Sequence, residues 1–438
     1  MPSSFSAIVD WPNAPLTDKL VRNALKPFDT RYLDKSDADT PLLQWSSYDC
    51  INHELLLTRP KDVLASSYIF RKALIRKHFL SRIIHSYCTK NPDSVLKHAA
   101  PLTFELEISF ADELDEMWTD ELWELGDRLD NDDTWWILKP LVIGMADRGM
   151  GIRLFDSKDR LQQIFEEFEE DEDADEEYAS DTAVVTSQLR HFVIQEYLPD
   201  PMLFDPREIP LDDFPKPSSL QGHKFHLRVY CVATGALKVY VYDRILALFA
   251  SVPYGKPRLE ITEPEEPPSI NLQPHLTNTS LQSHRGEEGV RLLNELIGCQ
   301  VLSGDQDEQT FTEEDLASIT HQIGDVLAET FKAGLENPIY FQPIPNAFEL
   351  YGVDFLVMHQ PQDASNTFAV KLLEINAEPA VELTGPRLTW ILEDLFTSIA
   401  QVGVKPFFES EEDEKEWPVG ETRYHLFKCL STSTRQWD

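Results

Sequence analysis

Two short apolar segments near the C-terminus, Gly352–Met358 and Phe368–Asn376, constrain this chain most. Both read as strands, yet each carries an acid or amide where a purely structural strand would more often place another hydrophobe. Residues two apart in a strand share a face, so Glu374 and Asn376 are expected on one side and Leu373 and Ile375 on the other. If the strand holding Asp354 pairs alongside, three hard oxygen ligands converge, a set suited to Mg²⁺ with water and nucleotide phosphates completing its shell. Polar strand ends meeting solvent would give the same pattern, so both readings stay open here.

The chain has 438 residues and a formal net charge of -37. That length predicts two or three lobes. The charge is concentrated: residues 112–133 hold eleven acids against Arg128, and residues 166–181 hold eleven with no base. Such blocks read as solvated surface or disordered insertion, or else as a segment for a basic partner. A broad basic face for nucleic acid is disfavoured by this balance, and an acidic polypeptide would be repelled unless a local basic patch faced it. No apolar run is long enough for a membrane span, and the start Met1-Pro2-Ser3-Ser4-Phe5 lacks signal-peptide regions. Five scattered cysteines with no paired metal spacing fit a reducing compartment, and a cytoplasmic location is expected.

The organisation read from pattern is an N-terminal lobe over 1–100, mainly helical, a central lobe over 101–235 with an acidic insertion at 166–181, a C-terminal lobe over 236–406, and a loosely held acidic tail over 407–438. A helix is predicted from Tyr68 to about Leu80, capped by Ser66 or Ser67, with Phe70, Ala73 and Leu74 buried. Its cations Arg71, Lys72, Arg76 and Lys77 form either a solvated surface or a local patch for an acidic peptide or phosphate. Strands are expected at Trp135–Pro140, Ile152–Phe155 and His191–Leu198, with a hairpin of Lys224–Ala233 and Leu237–Phe249. Residues 251–287 read as a long functional or mobile loop. Helices are expected at about 288–298, 313–334 and 386–402.

Several residues invite chemistry. Lys139 precedes a glycine-bearing loop in which Gly149 and Gly151 would let backbone amides approach a phosphate, although the spacing is neither a Walker A loop nor a Rossmann fingerprint. Gln195, Glu196, Tyr197 and Leu198 would suit an adenine clamp at a strand end, or an ordinary core strand. Lys224, His226 and Arg228 alternate with Phe225, Leu227 and Val229, giving either the floor of a polar cleft or a half-exposed strand.

Taken in chain order, Trp136-Ile137-Leu138-Lys139-Pro140, Arg148-Gly149-Met150-Gly151-Ile152, Gln195-Glu196-Tyr197-Leu198, Lys224-Phe225-His226-Leu227-Arg228, His275-Leu276-Thr277-Asn278, Val353-Asp354-Phe355 and Leu373-Glu374-Ile375-Asn376 resemble the tubulin-tyrosine ligase and ligase-like family of the ATP-grasp superfamily. The hairpin wording is most similar to a fungal branch that includes a P-body-associated protein. The resemblance implies an α+β ATP-grasp fold and an ATP-dependent carboxylate-amine ligase that adds a free amino acid to a protein, tubulin being one candidate acceptor. It implies Lys139, Arg148, Gly149, Gly151 and Lys224 near phosphates, Gln195 to Leu198 at the adenine, and His226, Thr277 and Asn278 lining the nucleotide site. Asp354, Glu374 and Asn376 would hold Mg²⁺, and Arg228 would stabilise an acyl phosphate. Three positions depart from the family pattern: His226 where aspartate is usual, Leu248 where the well-known ligases place a cleft arginine, and Glu378 in place of a small residue. Arg244 is the candidate substitute for the missing arginine. These departures leave open an alternative, a nucleotide-binding interaction module without turnover, recruited to a protein partner in a cytoplasmic assembly.

Overall fold

The structure, a computed structural model, describes residues 4–34, 40–141, 151–173, 191–210, 217–259, 270–277, 289–304, 309–360, 366–409 and 417–432. Its seventeen described strands are β1 Phe5–Ile8, β2 Thr30–Tyr32, β3 Leu42–Gln44, β4 Val63–Ala65, β5 Thr103–Glu107, β6 Trp136–Pro140, β7 Arg153–Phe155, β8 His191–Glu196, β9 Leu203–Phe204, β10 His223–Thr234, β11 Lys238–Tyr242, β12 Leu246–Phe249, β13 Val290–Leu292, β14 Phe348–His359, β15 Phe368–Ala377, β16 Thr422–Arg423 and β17 Leu426–Ser431.

Residues 4–100 are richer in helix than in strand, but their organising element is a four-stranded parallel sheet, order β2-β1-β3-β4. These strands are only three or four residues long, too short for a clear period in the sequence. The helix predicted over 68–80 is broken. Arg76 is extended (φ -109, ψ 118) between a short turn Lys72–Ile75 and the helix Lys77–Lys90. Ala73 and Leu74 are buried as expected, whereas Phe70 is exposed, and Ser66 bonds Ser46 rather than capping a helix.

The central lobe is a four-stranded antiparallel sheet, order β5-β8-β6-β7. Its core of Leu106, Leu125, Trp136, Leu161, Phe165 and Phe192 also gathers the acidic stretch: residues 112–133 are largely helical, turning Leu114 and Leu125 inward and their acids outward. The helix Lys158–Asp173 runs into the stretch read as an insertion, so 166–173 is helical; the rest of that stretch lies outside the described residues.

The third unit is a nine-stranded sheet with the twelve-residue β10 at its centre. β14 pairs along one edge of β10, while β12 and β11 share the other edge in succession. The long second hairpin strand expected over 237–249 is therefore two strands, broken at Asp243–Ile245. The boundary drawn between 235 and 236 falls in the turn of the β10–β11 hairpin, inside one hydrogen-bonded sheet. Residues 290–296 form β13 and a 3-10 turn rather than a helix. The tail is also different from expectation: β17 pairs with β11 and buries Leu426, Lys428, Cys429 and Leu430. Its single apolar strand was masked by the acids that precede it. The helix Glu313–Leu335, capped by Thr312 as its T-x-x-D pattern prescribes, packs one face of the sheet and the helix Thr389–Ile399 the other. No described helix is long and apolar enough to cross a membrane.

Candidate functional site

β10 is buried on both faces, which disposes of the half-exposed reading. Phe225, Leu227 and Val229 enter the core under Glu313–Leu335, and Lys224, His226 and Arg228 point the opposite way. β14 brings Asp354 opposite Arg228, and β15 brings Glu374 opposite Asp354. Between Asp354 and Phe355 the β14–β15 register shifts, a bulge that leaves Leu373 unpaired. The strict alternation read from sequence is thereby corrected: Leu373 lines the same cleft as Glu374, whereas Leu372 and Ile375 are in the core. A bulge re-aims side chains in this way at the cost of one ladder position. Gly352 serves the same geometry, since a Cβ there would lie 2.7 Å from Pro379 Cβ and 3.3 Å from Arg228 Cδ.

The cleft between this sheet and the central lobe is open to solvent and has a cavity volume of about 100 Å³. It is lined by Lys139, Gln195, Glu196, Tyr197, Leu198, Lys224, His226, Thr277, Asp354 and Glu374, ten of the residues singled out from sequence, together with Lys77, His275 and apolar side chains. One end is apolar: Tyr197 packs with Ile137, Ile152 and Leu154, and Leu198 packs with Leu356, Met358 and Leu373. The other end is charged. Arg228 donates to both carboxylate oxygens of Asp354 (2.5 and 3.0 Å), and Asn376 Nδ2 lies 3.4 Å from Asp354 and 3.1 Å from Glu374. Arg228 and Asn376 thus stand behind the cleft wall and act on it through Asp354 and Glu374. Gly151 is in the left-handed region (φ 75) before β7 and does not line the cleft; Arg148, Gly149 and Asn278 lie outside the described residues.

Lys77 is the functional residue sequence reasoning did not assign. It begins the helix Lys77–Lys90, crosses from the N-terminal lobe and pairs with Glu374 at 2.6 Å. Burial works to raise the Glu374 carboxyl, but Lys77 and then Lys139 outweigh it and hold it well below the usual carboxylate range. His275, quoted only as part of a motif, accepts or donates at 2.8 Å to Tyr197, and burial and Lys224 push its imidazole down to about 4. The cationic signal at Lys77 was visible as the basic run Arg71–Lys77, and of that run Lys77 reaches the cleft, where its partner is the chain's own Glu374. Arg71 instead pairs with buried Glu349 and lies over Tyr48. Arg244 does not replace the missing arginine: it binds Asp394 and stacks on Trp390, while Leu248 sits in the core opposite His226.

Two ammonium groups lack a matching charge. Among the described residues neither Lys139 nor Lys224 has a carboxylate within ion-pair distance; Lys139 donates to Gln195 (2.7 Å) and Lys224 lies over the Tyr197 ring. Burial pushes Lys139 down to about 8 despite Glu374, and burial with repulsion from Lys139 pushes Lys224 down to about 7. A desolvated cation pair of this kind is what an entering polyanion would stabilise. For a divalent cation the fit is of a different sort. Among the described residues no three His, Cys, Asp or Glu side chains already cluster around one point, because Arg228 and Lys77 draw the two acids toward themselves. The donors nevertheless fit one: two carboxylates and an amide, mutually in contact at the charged end, with cations standing where a metal's charge would be.

Comparison with known proteins decides the family. The profile of the Tubulin-tyrosine ligase family matches residues 57–412. The chain belongs to that family. It is 36% identical over 420 residues to "Probable tubulin--tyrosine ligase PBY1" of Saccharomyces cerevisiae, covering 92% of this chain and 50% of that protein. It is 35% identical over 385 residues to a probable tubulin–tyrosine ligase of Schizosaccharomyces pombe, covering 84% and 83%. It thus spans half the length of the first relative. The crystal structure of the C-terminal domain of K. lactis Pby1, an ATP-grasp enzyme interacting with the mRNA decapping enzyme Dcp2, matches with TM-score 0.67 and 28% identity, over 98% of this chain and 100% of that one. The fold is the α+β ATP-grasp fold, and the fungal branch is the one expected from the hairpin wording.

Proposed function

We propose that the chain is an ATP-dependent carboxylate-amine ligase that joins an amino acid to a protein carboxylate. The observation that carries this reading is the pair of buried ammonium groups, Lys139 and Lys224, neither in an ion pair among the described residues, beside Asp354 and Glu374 at one end of a cleft whose other end is apolar. Apolar residues around Tyr197 and Leu198 would cover an adenine, and Lys139 and Lys224 would hold phosphates. Bound Mg²⁺, held by Asp354, Glu374 and Asn376, would supply charge neutralisation at the transferring phosphoryl group. An acceptor carboxylate oxygen would attack the γ-phosphorus as ADP leaves. An amine nitrogen would then displace phosphate from the acyl carbon and lose a proton to solvent. Arg228, charged under all ordinary conditions because Asp354 outweighs its burial, would stabilise the acyl phosphate once a metal took over Asp354. The acceptor is a protein, tubulin being one candidate, and the setting is cytoplasmic.

A second reading is favoured by one observation: His226 in the cleft is paired across the sheet with Leu248, and Arg244, the candidate substitute for the arginine absent at Leu248, binds Asp394 instead. On that reading the cleft binds nucleotide without turnover and the domain serves as an interaction module in a P-body-like assembly, to which the Dcp2 interaction of the K. lactis protein lends support. Incorporation of labelled amino acids into tubulin and into a lysate, with Glu374→Gln alongside, separates the two. Label that needs ATP and Glu374 supports the ligase; nucleotide binding with no label sinks it in favour of the module.

A further inference from the structure

Among the described residues, the cleft holds one buried polar atom without a hydrogen-bond partner. His226 is 4% exposed, at the middle of the cleft wall on β10, and its Nδ1 lies 2.7 Å from Thr277 Oγ1, which fixes the ring. Among the described residues its buried Nε2 has no hydrogen-bond partner. Asp354 Oδ1 lies 3.6 Å from it. Neither neutral tautomer resolves this. With the proton on Nε2, the N–H aims at an oxygen beyond hydrogen-bonding reach. With the proton on Nδ1 and donated to Thr277, the Nε2 lone pair faces a carboxylate oxygen. The unsatisfied atoms elsewhere are single nitrogens of arginines with other partners, or histidine and threonine atoms away from this cleft.

A cation between the two atoms removes the conflict in one step. First-row divalent ions bind imidazole nitrogen and carboxylate oxygen at about 2.0–2.2 Å, so two adjacent ligands of one ion lie about 3 Å apart. The observed 3.6 Å leaves that room with a small inward movement of either side chain. Asn376, whose Nδ2 lies 3.4 Å from the other oxygen of Asp354, would extend the donor set toward Glu374 once its amide turned to present Oδ1.

We propose that His226 Nε2 is a ligand of the divalent cation in this cleft, which gives the site a preference for Mn²⁺ over Mg²⁺. Mg²⁺ takes hard oxygens and keeps much of its water, whereas an imidazole nitrogen favours the first-row transition ions, of which Mn²⁺ gains least but is the one that also suits carboxylate and amide oxygens. The inference rests on the proposed nucleotide-and-metal reading of the cleft and sharpens it, naming a ligand of a different element and the ion it selects.

Pulsed electron paramagnetic resonance of the full chain with Mn²⁺, alone and with ADP, tests it. The expected result is strong ¹⁴N modulation from a directly bound imidazole, joined by ³¹P coupling when ADP is present, with the nitrogen signal gone in His226→Asp. Calorimetry should give wild-type Mn²⁺ binding about tenfold or more tighter than Mg²⁺, with the ratio collapsing in His226→Asp, which keeps an oxygen ligand. Bound Mn²⁺ with ³¹P coupling but no nitrogen coupling overturns the assignment of His226 and leaves the nucleotide reading intact. No divalent binding with or without ADP overturns both. Because the nitrogen signal is read on the wild type, a variant that fails to fold leaves the test decisive.

Discussion

Lys224 and Lys139 predict that nucleotide binding is coupled to proton uptake. With folded values of about 7 and about 8, at pH 8 Lys224 carries about 0.1 proton and Lys139 about 0.5. Phosphate oxygens beside both ammonium groups favour their charged forms, returning both toward the free-lysine value of about 10.5 and leaving each fully protonated at pH 8. Binding of ADP with Mg²⁺ should then take up about 1.4 protons at pH 8, whereas at pH 6.5 the lysines take up only about 0.3 and release from the phosphate offsets most of that, leaving a net uptake near zero. The phosphates contribute little at pH 8, since their second ionisation, near 6, is complete there. Lys224→Met removes about 0.9 of the uptake and, by lifting the repulsion between the two ammonium groups, lowers the share of Lys139 as well. The assay is titration calorimetry in two buffers of different ionisation enthalpy, whose slope counts protons. Uptake that does not change between the two pH values, or that Lys224→Met leaves at wild-type level, refutes the claim that these lysines wait for an anion.

Three further outcomes are expected. Lys77→Met removes the cation that competes for Glu374, so divalent binding without nucleotide should tighten about tenfold by calorimetry, the equivalent of about 1.4 kcal/mol. His275 is held neutral, with its folded value of about 4 below the unfolded 6.5; the stability it allows is full above pH 6.5 and is lost as pH falls toward 4, by up to about 3 kcal/mol, and denaturant titrations of His275→Phe should lack that component. Leu426→Ala, in the fully buried first position of β17, should cost about 2–5 kcal/mol in urea unfolding, whereas a loosely held tail would show no change.

The site was legible in the sequence where its residues sit on long strands, because a period of two tells which side chains share a face. Lys224, His226 and Arg228 on β10, and Asp354 on β14, needed nothing more. Leu373 was misread because a bulge is a feature of pairing between two strands, invisible in either strand alone. Lys77 was missed because its role depends on the break at Arg76 and on a contact across nearly 300 positions of sequence with Glu374. β17 was hidden for a compositional reason: hydropathy averaged over an acidic tail submerges one six-residue strand that a waiting edge at β11 captures. The parallel sheet of β1 to β4 escaped for the opposite reason, since each strand is shorter than the window that a period needs.

The same reasoning explains how a chain of net charge -37 can offer a cleft to a polyanion. The sheet confines the cleft's charge to a few buried groups, with Lys77, Lys139, Lys224 and Arg228 set against Asp354 and Glu374. The acids of 112–133 ride helices of the central lobe with their charges turned to solvent, where ions screen them beyond about 8–10 Å. Buried charges are screened far less than these, so the potential a bound phosphate feels is set by its immediate neighbours rather than by the total. The acidic surface then acts on encounter and on choice of partner, while the cationic interior acts on affinity. On the proposed reading, a polyanion entering the cleft would meet Lys77, the one residue of the N-terminal lobe's described basic run that lines it.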